Sequence, residues 1–361
     1  MNHPAPGLEL RPLNIPASAD AEDGADFRAM VSVRNAVYAH VSGHQDHAMT
    51  ADELLPHYAA TPYERRLSWL VVLDGRAVGR LGLDLPDEGE SVLAFALIEL
   101  LPHVWGQGIG TAGLTLLERV ARENGRSVLQ TWAEHPDAPG ERLPAPTGFG
   151  SVPAADPGVR FARRHGFSLE QIERNSAFDL RGTFEAVERL LREARAASAD
   201  YHLVHWFAPT PPEFIDGYAW MKSRMVTDAP AADLQFDEEK WDAARVAEHD
   251  ARYTSSGRTL HVVAAQHSET GELCAFNELA IGRDKTEASH QEDTLVLKQH
   301  RGHKLGLLVK CENLMAWRDI APESPRVLTY NAEENRPMLD INEAIGFVPI
   351  AYEGAWKKLL V

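Results

Sequence analysis

Two glycine loops, half a chain apart, constrain this sequence more than anything else in it. The first is Trp105-Gly106-Gln107-Gly108-Ile109-Gly110-Thr111, which follows an apolar run, Ser91 to Leu101, and opens a helix-like run, Ala112 to Asn124. The second is His300-Arg301-Gly302-His303-Lys304-Leu305-Gly306, set between a strand-like Asp293-Thr294-Leu295-Val296-Leu297 and a helix-like Leu307 to Asp319. Each loop is followed by a Gly-Phe pair, at Gly166-Phe167 and at Gly346-Phe347. This is a two-copy internal repeat, and it sets the domain organisation. A strand, a glycine loop and a helix start, in that order, form an anion cradle. Glycine lets the backbone approach a ligand, and the free N–H groups of a helix start face its phosphates. No Gly-Lys-Ser/Thr follows either loop, which excludes a nucleoside-triphosphate P-loop, and the glycine spacing is not the dinucleotide fingerprint.

These residues resemble the GNAT superfamily of acyl-CoA N-acyltransferases, whose loop reads Arg/Gln-x-x-Gly-x-Gly/Ala and whose last helix ends in Gly-Phe. The second copy is similar to tandem acetyltransferases of the mycothiol-synthase type, through His300-Arg301-Gly302 with Leu305-Gly306, then Asn331-Ala332, Asn335, Met338, Asn342 and Gly346-Phe347. The resemblance implies an α/β fold with a mixed sheet, in two tandem GNAT domains. The expected layout is an N-terminal domain over 1–181, a linker helix over 182–199 and a C-terminal domain over 200–361.

Composition narrows the partners. A net charge of -17 argues against nucleic acid and suits a cationic amine. The two cysteines, Cys274 and Cys311, give neither a disulfide framework nor a zinc set. The start, Met1 to Pro6, lacks signal-peptide regions, and no apolar run is long enough to span a membrane. A cytoplasmic enzyme, monomeric or homodimeric, is the expectation.

Along the chain, Asp74-Gly75 predicts a hairpin between Ser68–Leu73 and Ala77–Leu83. Arg126 to Trp132 reads as the strand after the first loop-helix. Residues 136–158 are rich in Pro, Gly and Ala and read as a surface insertion, either a disordered loop or a lid over a cleft. Phe184, Val187, Leu190 and Leu191 lie at helical spacing, which predicts a helix between the two copies. His40, His44 and His47 read as a polar loop rather than a metal cluster, since no acidic or cysteine partner stands at ligand spacing. No metal is expected.

Acetyl transfer to an amine requires loss of an ammonium proton, a polarised thioester carbonyl, alignment of the reactants and a stabilised thiolate. The resemblance implies that acetyl-CoA, as co-substrate, lies between two splayed parallel strands in each copy. Backbone N–H groups near Leu100-Leu101 and Val296-Leu297 would polarise the carbonyl, a contact worth about 3 kcal/mol. The loops Trp105, Gly106, Gln107, Gly108, Ile109, Gly110, Thr111 and His300, Arg301, Gly302, His303, Lys304, Leu305, Gly306 would hold the pyrophosphate, with Asn331 and Asn335 on the CoA arm. Glu99, Glu278 and Asp293 are the candidate general bases. Three departures stand out. Trp105 replaces the usual Arg/Gln, and Lys304 stands where a middle glycine is usual, which calls for a different backbone path. Ala162 and Asn342 replace the tyrosine that reprotonates the thiolate. The expected function is transfer from acetyl-CoA to a small primary amine, with the C-terminal copy as the catalytic one. The alternatives are a silent CoA-binding or sensing protein and a protein N-terminal or lysine acetyltransferase. An open groove would favour a protein substrate, and a closed pocket a small one.

Overall fold

The computed structural model describes residues 6–228 and 230–360. In chain order the strands and helices are β1 (Leu8–Pro12), α1 (Ala25–Ser42), α2 (Ala51–Leu54), β2 (Glu64–Leu73), β3 (Arg76–Pro86), β4 (Leu93–Leu100), α3 (Ile109–Glu123), β5 (Val128–Glu134), β6 (Arg142–Pro144), β7 (Ser151–Pro153), α4 (Pro157–Arg164) and β8 (Ser168–Asp179). There follow α5 (Glu185–Ala197), β9 (Tyr201–Phe207), α6 (Ile215–Asp228), α7 (Ala243–Thr254), β10 (Thr259–His267), β11 (Leu273–Ile281), β12 (Ser289–Val296), α8 (Leu305–Ile320), β13 (Arg326–Ala332), α9 (Arg336–Ile345) and β14 (Val348–Leu359). No helix among the described residues is long and apolar enough to cross a membrane.

The chain forms two compact units. The first comprises Met1–Glu173, Ala231–Asp237 and Ala351–Val361, and the second Arg174–Pro230 and Glu238–Ile350. This differs from the expected cut after residue 181. Two pieces of the C-terminal half, the 231–237 segment and most of β14, belong to the first unit.

In the first unit β1, β2, β3 and β4 are antiparallel neighbours, β4 pairs parallel with β5, and β14 closes antiparallel on β5. The Asp74-Gly75 turn has positive φ at both residues (49° and 78°), as a tight hairpin between right-twisted strands requires. α3 buries Ile109, Leu114, Leu117 and Ala121 against the sheet. Gly113 permits that approach, because a Cβ there would lie 2.8 Å from Leu81. The opposite face is covered by α1 and α2 through Phe27, Met30, Val31 and Leu54. The insertion at 136–158 is folded: β6 and β7 form a hairpin whose Ala145 and Val152 join the core.

In the second unit the order β9-β10-β11-β12 is antiparallel, and β12 pairs parallel with β13. The helix expected as a linker is α5. Its Val187, Leu190, Leu191 and Ala194 are buried in one cluster with Leu308, Cys311 and Leu314 of α8. It is therefore a core element of the second unit rather than a spacer. α6 and α7 cover the other face with Tyr218, Met221, Val246 and Tyr253.

Candidate functional site

Each unit holds a pair of parallel strands that part. β4 and β5 pair only from Leu93 with Val128 to Phe95 with Gln130, yet run on to Leu100 and Glu134. β12 and β13 pair only at Ser289 with Val327 and His290 with Leu328, yet run on to Val296 and Ala332. The gap exposes every second backbone N–H of the first strand of each pair.

Which N–H faces the gap corrects one expectation. The N–H of Leu101 donates to Val78 O at 2.8 Å, and that of Leu297 to Cys274 O at 2.9 Å. Both are occupied by the neighbouring strand, so neither can polarise a thioester. One residue earlier, by strand alternation, Leu100 and Val296 face the gap. Their carbonyls mark this side: Trp105 Nε1 donates to Leu100 O at 2.8 Å and Arg301 Nε to Val296 O at 3.3 Å. Trp105 thus takes over from arginine the task of closing the loop onto the strand end.

The loops then deliver two helix starts. Gly106 and Gly108 have φ of 75° and 82°, and Gly108 precedes α3; Gly302 has φ of 92°, and Lys304 (φ 56°) precedes α8. Lys304 follows the left-handed path that glycine takes at position 108, rather than a different one, at a strain of about 1 kcal/mol. Neither helix start is capped by a side chain. The N–H groups of Ile109, Gly110 and Thr111, and of Leu305, Gly306 and Leu307, lack intrahelical acceptors and suit an anion. Around the second loop, Arg301 and Lys298 pair with Asp228 at 3.2 and 3.0 Å, Lys304 with Glu193 at 3.5 Å, and Gln107 in the first loop donates to His103 O. The His300 and His303 rings both pack on Tyr201.

The three candidate bases are all ion-paired. Arg80, buried, forks onto Glu99 at 2.6 and 2.8 Å. Lys222 Nζ lies 3.2 Å from Glu278 and 2.5 Å from Asp293, and Tyr218 O–H donates to Glu278 as well. The Lys222 ammonium also faces the rings of Trp241, Tyr218 and Phe276 at 5.1 to 5.7 Å. Burial works against its charge, but Asp293 and Glu278 together hold its pKa above the usual lysine value. Asp293 is partly exposed; desolvation raises a carboxyl, yet Lys222 pulls its pKa below the ordinary value. The two carboxylates expected as bases in the second unit thus already share an ammonium, supplied by the chain itself.

The first unit presents the opposite arrangement. Glu134, the last residue of β5, stands directly across from Glu353 of β14. Like charges so placed repel. Burial raises Glu134 to about 7, and burial together with Glu173 and Glu134 raises Glu353 to about 8. Trp132, two residues before Glu134 and so on the same face, donates from Nε1 to Glu173 at 2.8 Å. Phe236, from the 231–237 segment, lies 6.2 and 6.4 Å from Trp132 and Phe95, and Gln130 exchanges two hydrogen bonds with the backbone of Gln235. This segment packs over Phe95 of β4 and over Gln130 and Trp132 of β5.

Residues 36–149 match the model of the acetyltransferase (GNAT) family. The chain is similar over 98% of its length to 99% of a tandem GNAT protein from the clavulanic acid biosynthesis pathway, at 23% identity and a TM-score of 0.74. It also matches a GCN5-related N-acetyltransferase from Sphaerobacter thermophilus at 14% identity and a TM-score of 0.64, covering 99% of this chain and 97% of that one. No curated protein sequence matches it. The chain carries a GNAT acetyltransferase domain within a tandem GNAT fold. Acyl transfer is the reaction class of that domain.

In the second GNAT unit, the position of the missing tyrosine has a partner that sequence reasoning overlooked. Asn342 donates to Asn331 Oδ1 at 2.7 Å and accepts from Lys310 Nζ at 2.7 Å. Lys310 is fully buried on α8, and burial lowers its pKa to about 7. Asn335 precedes α9 without a side-chain cap, and Ala162 is buried on α4. A lysine whose folded pKa lies below its unfolded value binds fewer protons in the native state between those two values. Its contribution to stability therefore rises with pH from about 7 to the unfolded lysine value, by up to about 1.4 kcal/mol per pH unit. Urea unfolding of Lys310→Met at pH 6 to 9 should show that slope reduced relative to the unsubstituted chain. Of the three loop histidines, His44 pairs with Asp46 at 3.3 Å, and burial with His44 and Arg34 nearby lowers His47 to about 4.

In the first unit, Glu134 lay two residues beyond the end of the strand expected from the apolar pattern. Glu353 sits in the last strand of the chain, and nothing local ties it to β5.

Proposed function

We propose that the first unit transfers an acetyl group from acetyl-CoA to a small cationic amine by direct attack in a ternary complex. The observation that carries this reading is the pair Glu134 and Glu353, half-buried beside the splayed strands, with pKa values raised toward neutrality. An ammonium entering between them gains charge pairing, and either carboxylate can then accept its proton. The freed amine nitrogen attacks the thioester carbonyl, whose oxygen the Leu100 N–H would polarise, and the thiolate leaves. The N-terminus of α3 would hold the diphosphate of the co-substrate through Ile109, Gly110 and Thr111. The packing of residues 231–237 over β4 and β5 favours a small molecule over a protein segment. The second unit has the same loop and helix start, and Leu305, Gly306 and Leu307 would hold a CoA ester there. Lys222 already pairs with its two candidate bases, which moves the acceptor chemistry expected of Glu278 and Asp293, as of Glu99, to the first unit's Glu134 and Glu353.

Calorimetry with acetyl-CoA on Gly110→Trp and Gly306→Trp tests the reading. A Cβ at Gly110 already meets Phe161 at 3.1 Å, and one at Gly306 meets Ile341 at 3.3 Å, so tryptophan must block each loop. Each variant is expected to lose one of two sites, with amine acetylation lost in Gly110→Trp and kept in Gly306→Trp. The reverse pattern of activity would assign catalysis to the second unit.

A further inference from the structure

We propose that the second unit contains a zinc site formed by Glu272, Cys274 and His300. One donor atom from each lies within 4.8 Å of the others. His300 Nε2 is 3.4 Å from a Glu272 carboxylate oxygen, close to the spacing of about 3.3 Å that two ligands at bond lengths of about 2.0 Å take around a tetrahedral ion. Tyr201 O–H and His300 Nδ1 are 2.9 Å apart. With that nitrogen engaged, Nε2 is the one presented to a metal, the outer-shell arrangement that orients imidazole ligands. Cys274 is fully buried at the start of β11, and its thiol donates to the Glu272 backbone carbonyl at 3.2 Å, a bond that metal binding would replace. A thiolate, an imidazole and a carboxylate together select zinc over the hard cations, and leave a fourth position to water. The His267 ring, 5.9 Å from that of His300, adds a further imidazole nearby. The backbone bond from Leu297 to Cys274 O ties β12 to the site, and His300 leads directly into Arg301 and Gly302. Zinc here would pin the turn that enters the second glycine loop. Binding converts the Cys274 thiol to a thiolate with release of its proton.

Cobalt(II) titration of the full chain is the test, because thiolate-bound cobalt has a charge-transfer absorption that carboxylate- or water-bound cobalt lacks. One equivalent is expected to produce that band, and zinc to bleach it. Cys274→Ser should abolish the band. Glu272→Gln, at an exposed position, should weaken binding about tenfold or more without changing the melting temperature of the metal-free chain. The site is disproved if the unsubstituted chain gives no band, if the band persists in Cys274→Ser, or if Glu272→Gln binds cobalt as the unsubstituted chain does.

Discussion

Replacing Glu353 by glutamine is expected to lower kcat/KM for amine acetylation by about 10²- to 10⁴-fold, the range for loss of a general base. Glu353 faces Glu134 across two paired strands with Glu173 nearby, and burial plus these two carboxylates raise it to about 8. The two acids titrate as a pair, so the pH profile belongs to both. A base must be ionised to act. The rate of the unsubstituted enzyme should therefore climb as pH rises through about 7 to 8 and level off above. Glu134→Gln removes a like charge beside Glu353 and eases its ionisation. That variant should keep more activity than Glu353→Gln, with the rising limb shifted toward lower pH. The double variant should lose most activity at all pH values. Steady-state release of CoA thiol across pH 6 to 9 reads all three. An unchanged profile in Glu353→Gln would remove this residue from the proton path.

Lys222→Met should destabilise the second unit by about 3–5 kcal/mol, as breaking a buried ion cluster from one side does. The Lys222 ammonium neutralises Glu278, fully buried, and Asp293, and it is itself 4% exposed. Methionine fills a similar volume but leaves the fully buried Glu278 carboxylate without its counter-charge, beside the partly exposed Asp293. For a unit of this size the melting transition should fall by about 10 °C, as an order of magnitude. Converting the whole cluster at once, Lys222→Met with Glu278→Gln and Asp293→Asn, should recover most of that loss, because no uncompensated charge remains. Differential scanning calorimetry separates the outcomes. If Lys222→Met melts as the unsubstituted chain does, the ammonium does not sit between these acids. In that case the two carboxylates would be open to an outside amine.

The sequence by itself determined what depends on short-range geometry. Glycine at 106 and 108 is needed where the backbone turns left-handed before α3, and such turns sit between a strand and a helix wherever they recur. The repeat therefore announced two GNAT-type folds and placed the two helix starts after the glycine loops within three residues. The Asp74-Gly75 hairpin was legible for the same reason, since few residue pairs adopt its dihedrals. Tertiary structure alone decided what surrounds the candidate carboxylates. Glu99, Glu278 and Asp293 stand next to the right strands in sequence, but Arg80 and Lys222 reach them from other elements and take up their charge. Glu134 and Glu353 meet only because the last strand of the chain folds back onto β5, a pairing with no local signal. The packing of Phe236 on Phe95 and Trp132 is likewise supplied by a segment far along the chain. Backbone turns are written in neighbouring residues. The charge of a carboxylate is set by whatever the fold brings beside it.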